Sequence, residues 1–214
     1  MSETIQKPLR KGEQTRASIL ETALELASRE GLEGLTIGVL ADRMGMSKSG
    51  VFAHFGSRED LQIDVLKLYN HQFEQAVFYP SLRAPRGLPR LQSLFARWVE
   101  RVSQEIASGC IYISGAVEYD DRPGPIRDHL VGMVRTWQLA LQRAALQAIE
   151  EQHLPAPTDA QQLVFEMYGL VLALHHDARF IRSPDCVQRA HAGFERLIAS
   201  ARSEQTHSHP KTST

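Results

Sequence analysis

The polar side chains best placed to do chemistry cluster in residues 36–58: Thr36, Ser47, Lys48, Ser49, His54 and Arg58. Hydroxyls at positions where helices would begin, followed closely by cations, suit anion binding more than bond breaking. A Ser or Thr that caps a helix accepts one backbone N–H and leaves the other first-turn amides facing outward, a ready site for phosphate. Two further sets carry reactive side chains. His175, His176 and Asp177 are metal-ligand types. Adjacent histidines on a helix point about 100° apart, however, and do not readily share an ion, so a structural or interface role is favoured and no metal is expected. Cys110 with His175 or His176 would be the raw material of a nucleophile and base. No orienting third group and no glycine-rich phosphate loop accompany them, so no catalytic residue and no cofactor are expected. Cys110 lies in an apolar stretch without a basic neighbour, which favours a buried thiol over a reactive one.

The elements that must position these residues are helical. The apolar spacing has a period near 3.6 throughout, with no strand-like alternation of useful length. The pattern predicts helices over about 13–29, 37–44, 48–54, 58–79, 91–106, 126–151, 163–174 and 185–201, with a shorter apolar stretch over 110–119. Gly31 ends the first helix. Thr36, Ser47 and Ser57 cap the second, third and fourth, and Asp60 stands as a capping-box partner to Ser57. The stretch from Leu163 to Leu174, LVFEMYGLVLAL, is apolar nearly all round. Such a helix is buried on every side, which suggests that one side faces its own core and the other a second subunit.

Within residues 37–55, IGVLADRMGMSKSGVFAHF, the spacing is that of a helix-turn-helix. Ala41 sits where two helices touch and a small side chain is needed. Gly45 takes the turn, where positive φ is costly for other residues. Leu40, Met44 and Val51 point inward, and Ser47 caps the second helix with its N-terminal amides outward, the end that meets base edges and phosphates.

Residues 13–61 resemble the DNA-binding domain of the TetR/AcrR family of transcriptional regulators. The resemblance rests on the amphipathic first helix, the Thr36 cap, Leu40-Ala41 with Gly45, the run Ser47-Lys48-Ser49-Gly50-Val51-Phe52-Ala53-His54-Phe55, and Ser57-Arg58-Glu59-Asp60-Leu61. It implies that Thr36 binds a phosphate, that Ser47, Lys48, Ser49 and Gly50 enter the major groove with Lys48 the best candidate for base contact, and that His54 and Arg58 hold phosphates. A basic arm, Lys7, Arg10 and Lys11, would reach the backbone or an adjacent minor groove. One departure concerns Phe52 and Ala53, which stand where the family usually has tyrosine. Phe52 cannot donate to a phosphate, a loss of about 0.5–1.5 kcal/mol per half-site, whereas Ala53 is able to touch a thymine methyl. A distinct operator is the consequence.

The remainder of the 214-residue chain matches the family in architecture. The expected fold is all-α with about nine helices: an arm (1–12), a DNA-binding domain (13–58), a helical effector-binding and dimerisation domain (59–202) and a disordered tail (203–214). Phe73, Trp98, Cys110, Tyr112, Trp137 and Tyr168 are candidates for an effector pocket. Leu163, Met167, Leu170, Val171, Leu174, Val187, His191, Phe194 and Ile198 are candidates for a dimer interface. The apolar fraction of 43% fills a real core, and the net charge of −1 requires any DNA binding to come from a local patch. With two distant cysteines, no leader and no membrane span, a cytoplasmic homodimer is expected. Its partners would be double-stranded operator DNA and a small-molecule effector of unknown identity, and repression is the favoured sign of control. A ligand-independent dimeric DNA binder and a Cys/His enzyme are the rival readings.

Overall fold

A computed structural model describes residues 10–203 of the chain, and among these residues there are helices and no strand. Nine helices run in order: α1 (Lys11–Glu30), α2 (Ile37–Met44), α3 (Lys48–Phe55), α4 (Arg58–Phe73), α5 (Leu88–Gln104), α6 (Ile111–Tyr119), α7 (Pro125–Glu150), α8 (Ala160–His176) and α9 (Cys186–Ser203). Helix α4 continues through a π-helical turn, Glu74–Phe78, into a last turn at Tyr79–Ser81, and α8 ends in a second π-helical turn, Asp177–Ile181. The expected helix at 58–79 and the short stretch at 110–119 are both present as helices. The first helix starts earlier than its apolar stripe suggests, because the Arg10 backbone N–H donates to Glu13 at 2.8 Å and closes its first turn. Lys11 and Gly12 are therefore helical and not part of an arm, and Ser203 belongs to α9 and not to a tail. Lys7 lies outside the described residues.

The head consists of α1, α2 and α3. Ile19, Ala23, Leu40, Ala41 and Val51 fill its interior and are fully buried. Gly45 closes α2 at φ 63°, and the amides of Gly45 and Met46 reach back to the helix carbonyls, the latter to Ala41 at 2.9 Å. A side chain at Gly45 would meet no neighbour, so backbone conformation rather than space selects glycine there. Arg16 pairs with Asp64 of α4 and lies over the Phe55 ring at 4.9 Å, which ties α1, α3 and α4 together.

The body is a helical layer around α7. This helix packs on α4, α5, α6 and α8, and α9 closes the far side against α8 and α5. Phe95 of α5 stacks on Phe194 of α9 with ring centroids 4.2 Å apart. Gly193 lets α8 and α9 approach closely, since a side chain there would collide with Leu170.

Six of the nine residues expected at a dimer face turn into the protomer in that packing. Leu163, Met167, Val171 and Leu174 of α8, with Phe194 and Ile198 of α9, are all buried in the protomer's own core. Leu170 and Val187 are half-buried, and His191 is exposed with its ring edge 6.2 Å from Phe95. The outward face of α8 instead carries Phe165 (73% exposed), Gly169 and Leu172 (48% exposed), with Phe180 beyond in the π turn. A helix apolar all round does not tell from sequence which half of it faces in.

Candidate nucleic-acid interface

Three hydroxyl caps build the head's outer surface. Thr36 Oγ1 accepts the Val39 amide at 3.1 Å, and Ser47 Oγ accepts the Gly50 amide at 3.1 Å. Ser57 Oγ accepts the Asp60 amide at 3.0 Å while its hydroxyl donates to the Asp60 carboxylate at 2.6 Å. Each cap satisfies one amide of its helix and leaves others unpaired at the N-terminus. Ser49 Oγ lies 3.2 Å from Ser47 Oγ. Gly50 keeps this corner open, because a Cβ there would stand 3.1 Å from Ser47 Oγ.

Lys48 opens α3 but its side chain reaches across to α2. Its ammonium lies about 3.5 Å from where a Gly38 side chain would begin, and Thr36 Oγ1 is on the same spot at 3.8 Å. Lys48 thus lies over Gly38 in the first turn of α2, close to the Thr36 cap, which brings a cation to a helix N-terminus. No local signal marks Gly38 as part of this group. Its role follows from the lysine lying over it.

On α3, Phe52 is 52% exposed and Ala53 is exposed beside it, so both stand on the outer face. His54 is half-buried with its ring 6.4 Å from Phe55. Arg58 is held within the head by contacts of its own chain. Its Nε donates to the Leu35 carbonyl at 3.0 Å, its Nη2 donates to the Glu33 carbonyl, and it lies 3.5 Å from the Glu33 carboxylate. The guanidinium is turned to the head's own α1–α2 loop. Arg10 is the N-cap of α1 and Lys11 its first residue, both exposed.

The loop that Arg58 holds also joins the head to the body. The Glu33 amide donates to Glu118 of α6 at 2.8 Å, and Tyr119 Oη donates to the Glu33 carboxylate at 3.1 Å. Gln62 of α4 donates to the Leu32 carbonyl, and Arg122 lies 3.2 Å from Glu33. The hydrogen bond from Tyr119, with the charges of Arg58 and Arg122, holds the Glu33 carboxyl below the usual carboxylate range. A second join lies at Gly109 (φ 102°), where any Cβ would collide with the Ser28 carbonyl of α1. Arg179 of the α8 π turn donates to the Ile106 carbonyl beside it at 2.8 Å.

The six expected effector-pocket residues come together in the body, but mostly as packing. Tyr69, Tyr112, Phe73, Trp137, Trp98 and Tyr168 form a chain of edge-on rings with successive centroids 4.7–5.5 Å apart. Phe73, Tyr112 and Trp137 line a small cavity of about 70 Å³, whereas Trp98 and Tyr168 lie ring against ring. Cys110 is buried 3.3 Å from Tyr69 Oη, and burial with the nearby Glu105 pushes its thiol up to about 12. Such a thiol stays protonated and unreactive. His176 lies 3.2 Å from Asp177, and among the described residues no group of three or more His, Cys, Asp and Glu is placed to hold a metal ion. No helix among them is long and apolar enough to cross a membrane.

An exposed α3 N-terminus on a small helical head, joined to a larger helical body, is the architecture of a helix-turn-helix regulator. Comparison with known proteins agrees. Residues 19–65 match the family model described as bacterial regulatory proteins, tetR family, and residues 87–194 match the tetracyclin repressor-like C-terminal domain. The HTH-type transcriptional regulator SrpR of Pseudomonas putida is 23% identical over 84% of this chain and 81% of its own. A TetR-family regulator from Cytophaga hutchinsonii superposes with a TM-score of 0.78 at 17% identity, covering 92% of this chain and 98% of that one. AibR, in complex with isovaleryl coenzyme A and operator DNA, superposes with a TM-score of 0.68 at 22% identity, covering 86% and 97%. The chain belongs to the TetR family of DNA-binding transcriptional regulators.

Proposed function

We propose that this regulator binds a near-palindromic operator as a dimer, represses from it, and leaves it when a small molecule binds the helical body. The observation that carries the reading is the pair of hydroxyl-capped helix N-termini, α2 and α3, with Lys48 of α3 lying over Gly38 in the first turn of α2. Lys48 with the α2 N-terminus grips a phosphate and so seats Ser47, Ser49, Phe52 and Ala53 on base edges. Lys48 is thereby a backbone contact more than a base contact, and the bases are read by an apolar, hydroxyl-rich face.

The outward face of α8 supplies the dimer contact in this reading. Phe165 and Leu172 lie two turns apart, with Gly169 between them leaving room for a facing helix. Pairing on this face would place two heads one helical turn of DNA apart, about 34–36 Å. AibR, seen with both an acyl-coenzyme A and operator DNA, is a relative in fold that binds both kinds of partner. In this chain, the Glu118 and Tyr119 contacts to the α1–α2 loop would carry a change in the body to the head.

Selection of bound sequences from random DNA by the purified protein at moderate salt tests the reading. Enrichment of a two-fold symmetric site is the expected result. Recovery of no symmetric site, with binding insensitive to sequence, would overturn it.

A further inference from the structure

Helices α6 and α7 leave an open groove of about 320 Å³ between them, at the lower end of the range for small-molecule sites. Gly115, Ala116, Leu130 and Val134 form a mostly apolar floor. Gly115 makes the floor close-packed, since a Cβ there would stand 3.1 Å from Leu130. Three charged groups line the groove: Arg127, Arg135 and Asp120. Arg127 Nε donates to the Asp120 backbone carbonyl at 3.0 Å, while the Asp120 carboxylate is engaged by the Asp121 amide at 2.9 Å. Arg127 and Arg135 stand eight residues apart on α7, about 12 Å along its axis, and border the apolar trough; among the described residues neither forms an ion pair.

Two residues link this groove to the rest of the molecule. Tyr112 is shared between it and the 70 Å³ inner cavity, and its hydroxyl donates to Asn70 Oδ1 at 2.7 Å. Behind that ring, Trp137 lines the inner cavity, and its buried indole N–H has no acceptor among the described residues. At the other end, Tyr119 walls the groove and hydrogen-bonds Glu33 of the loop that leads to Thr36. A molecule in the groove thus lies against α6, the helix that holds the head.

We infer that the α6–α7 groove binds an amphipathic monoanion, an aliphatic carboxylate with its chain on the apolar floor and its head group on one of the arginines that border it, Arg127 or Arg135. The charge selects the class. A cation would meet a guanidinium group, and a neutral alcohol would gain the floor without the ionic contact. Tyr112 sets chain length, because it is the partition between groove and inner cavity. The inference rests on the reading of this chain as an effector-released regulator, and it names the effector's chemistry.

Calorimetric titration of the whole protein with decanoate, decanol and decyltrimethylammonium tests it, with the fluorescence of the two tryptophans as a second readout. Decanoate should bind about tenfold more tightly than decanol, and the ammonium should bind least. The Arg127→Gln, Arg135→Gln double variant, with its helical circular dichroism intact, should lose the preference for the acid and still bind the alcohol. Tyr112→Ala should favour dodecanoate over decanoate more than the parent does, by about fourfold for each further methylene buried. Equal binding of acid and alcohol, tighter binding of the cation, or binding of none of the three overturns the inference. So does decanoate affinity that rises on dilution to monomer, which would mean that a second copy covers the groove. These outcomes are separable from failure of the regulator reading. Loss of decanoate binding with symmetric operators still enriched overturns the ligand alone, whereas decanoate binding without any operator overturns the regulator.

Discussion

The head and the body are both helical, but their structures are specified in different ways. In the head, short-range signals dominate. Thr36, Ser47 and Ser57 each cap the helix that follows, and Gly45 takes the left-handed turn between α2 and α3. In the body, long amphipathic helices are held by contacts distant in sequence, such as Phe95 on Phe194 and Trp98 against Tyr168. Local chemistry fixes where a helix starts. It does not fix which face of a long apolar helix turns inward.

Truncation in the body should give the largest effect. Phe95 is fully buried in a stacked pair, so Phe95→Ala should cost about 3–5 kcal/mol of stability. Thermal unfolding measures it, and a loss below about 1 kcal/mol would mean that the stack is not a core contact. The corresponding head substitution is smaller: Ser47→Ala removes one cap and should cost about 1 kcal/mol. Equal costs for the two would erase the contrast drawn between the regions.

The outward face of α8 offers a sharper break. Phe165→Glu places a charge on the exposed apolar face without touching the core, so sedimentation should show monomer with unchanged helicity. Operator affinity should then fall by about 100-fold, as two linked heads become one. The buried neighbour Met167 gives the control, since Met167→Ala should lower stability while leaving the dimer formed. The reverse pattern would restore the inner face as the interface.

Lys48→Ala should act on the head's charge alone. Operator affinity should weaken across sequences, and the slope of log K against log salt should fall by about 2, since the dimer loses one phosphate contact from each head. Relaxed preference at one base pair, with the slope unchanged, would instead return Lys48 to a base contact.

The smallest effect concerns the join between the two regions. Glu33 is held below its usual range by Tyr119 and by the charges of Arg58 and Arg122. A depressed carboxyl contributes above its unfolded value and loses that contribution as pH falls through its folded value. Acidification below the ordinary carboxylate range should therefore loosen the loop at 31–35, and Glu33→Gln should remove that part of the pH dependence. Amide exchange of residues 31–35 measures it, and identical profiles for parent and variant would contradict the assignment.

Much of this was legible in the sequence. The three caps, the turn and eight of the nine helices follow from local spacing, and the ninth lies where the sequence shows only a short apolar stretch. The misses share one cause. Arg58 and Glu33 lie 25 residues apart and meet only because α4 folds back on the α1–α2 loop. Leu163, Met167 and Leu174 are as apolar as Phe165 and Leu172, and only the packing of α9 and α7 on one side of α8 distinguishes them. The groove between α6 and α7 has no sequence signature, because Arg127 and Arg135 become neighbours of Gly115 and Ala116 only after the two helices pack.

The central claim is that one head reads one half-site and that the α8 face sets two heads one turn apart. Hydroxyl-radical footprinting of the protein on a selected operator tests this most directly. The account predicts two protected windows on one face of the duplex, centred about 34–36 Å apart, that merge into weak, unphased protection with Phe165→Glu. A single window for the parent protein, or two windows that survive Phe165→Glu unchanged, would contradict it.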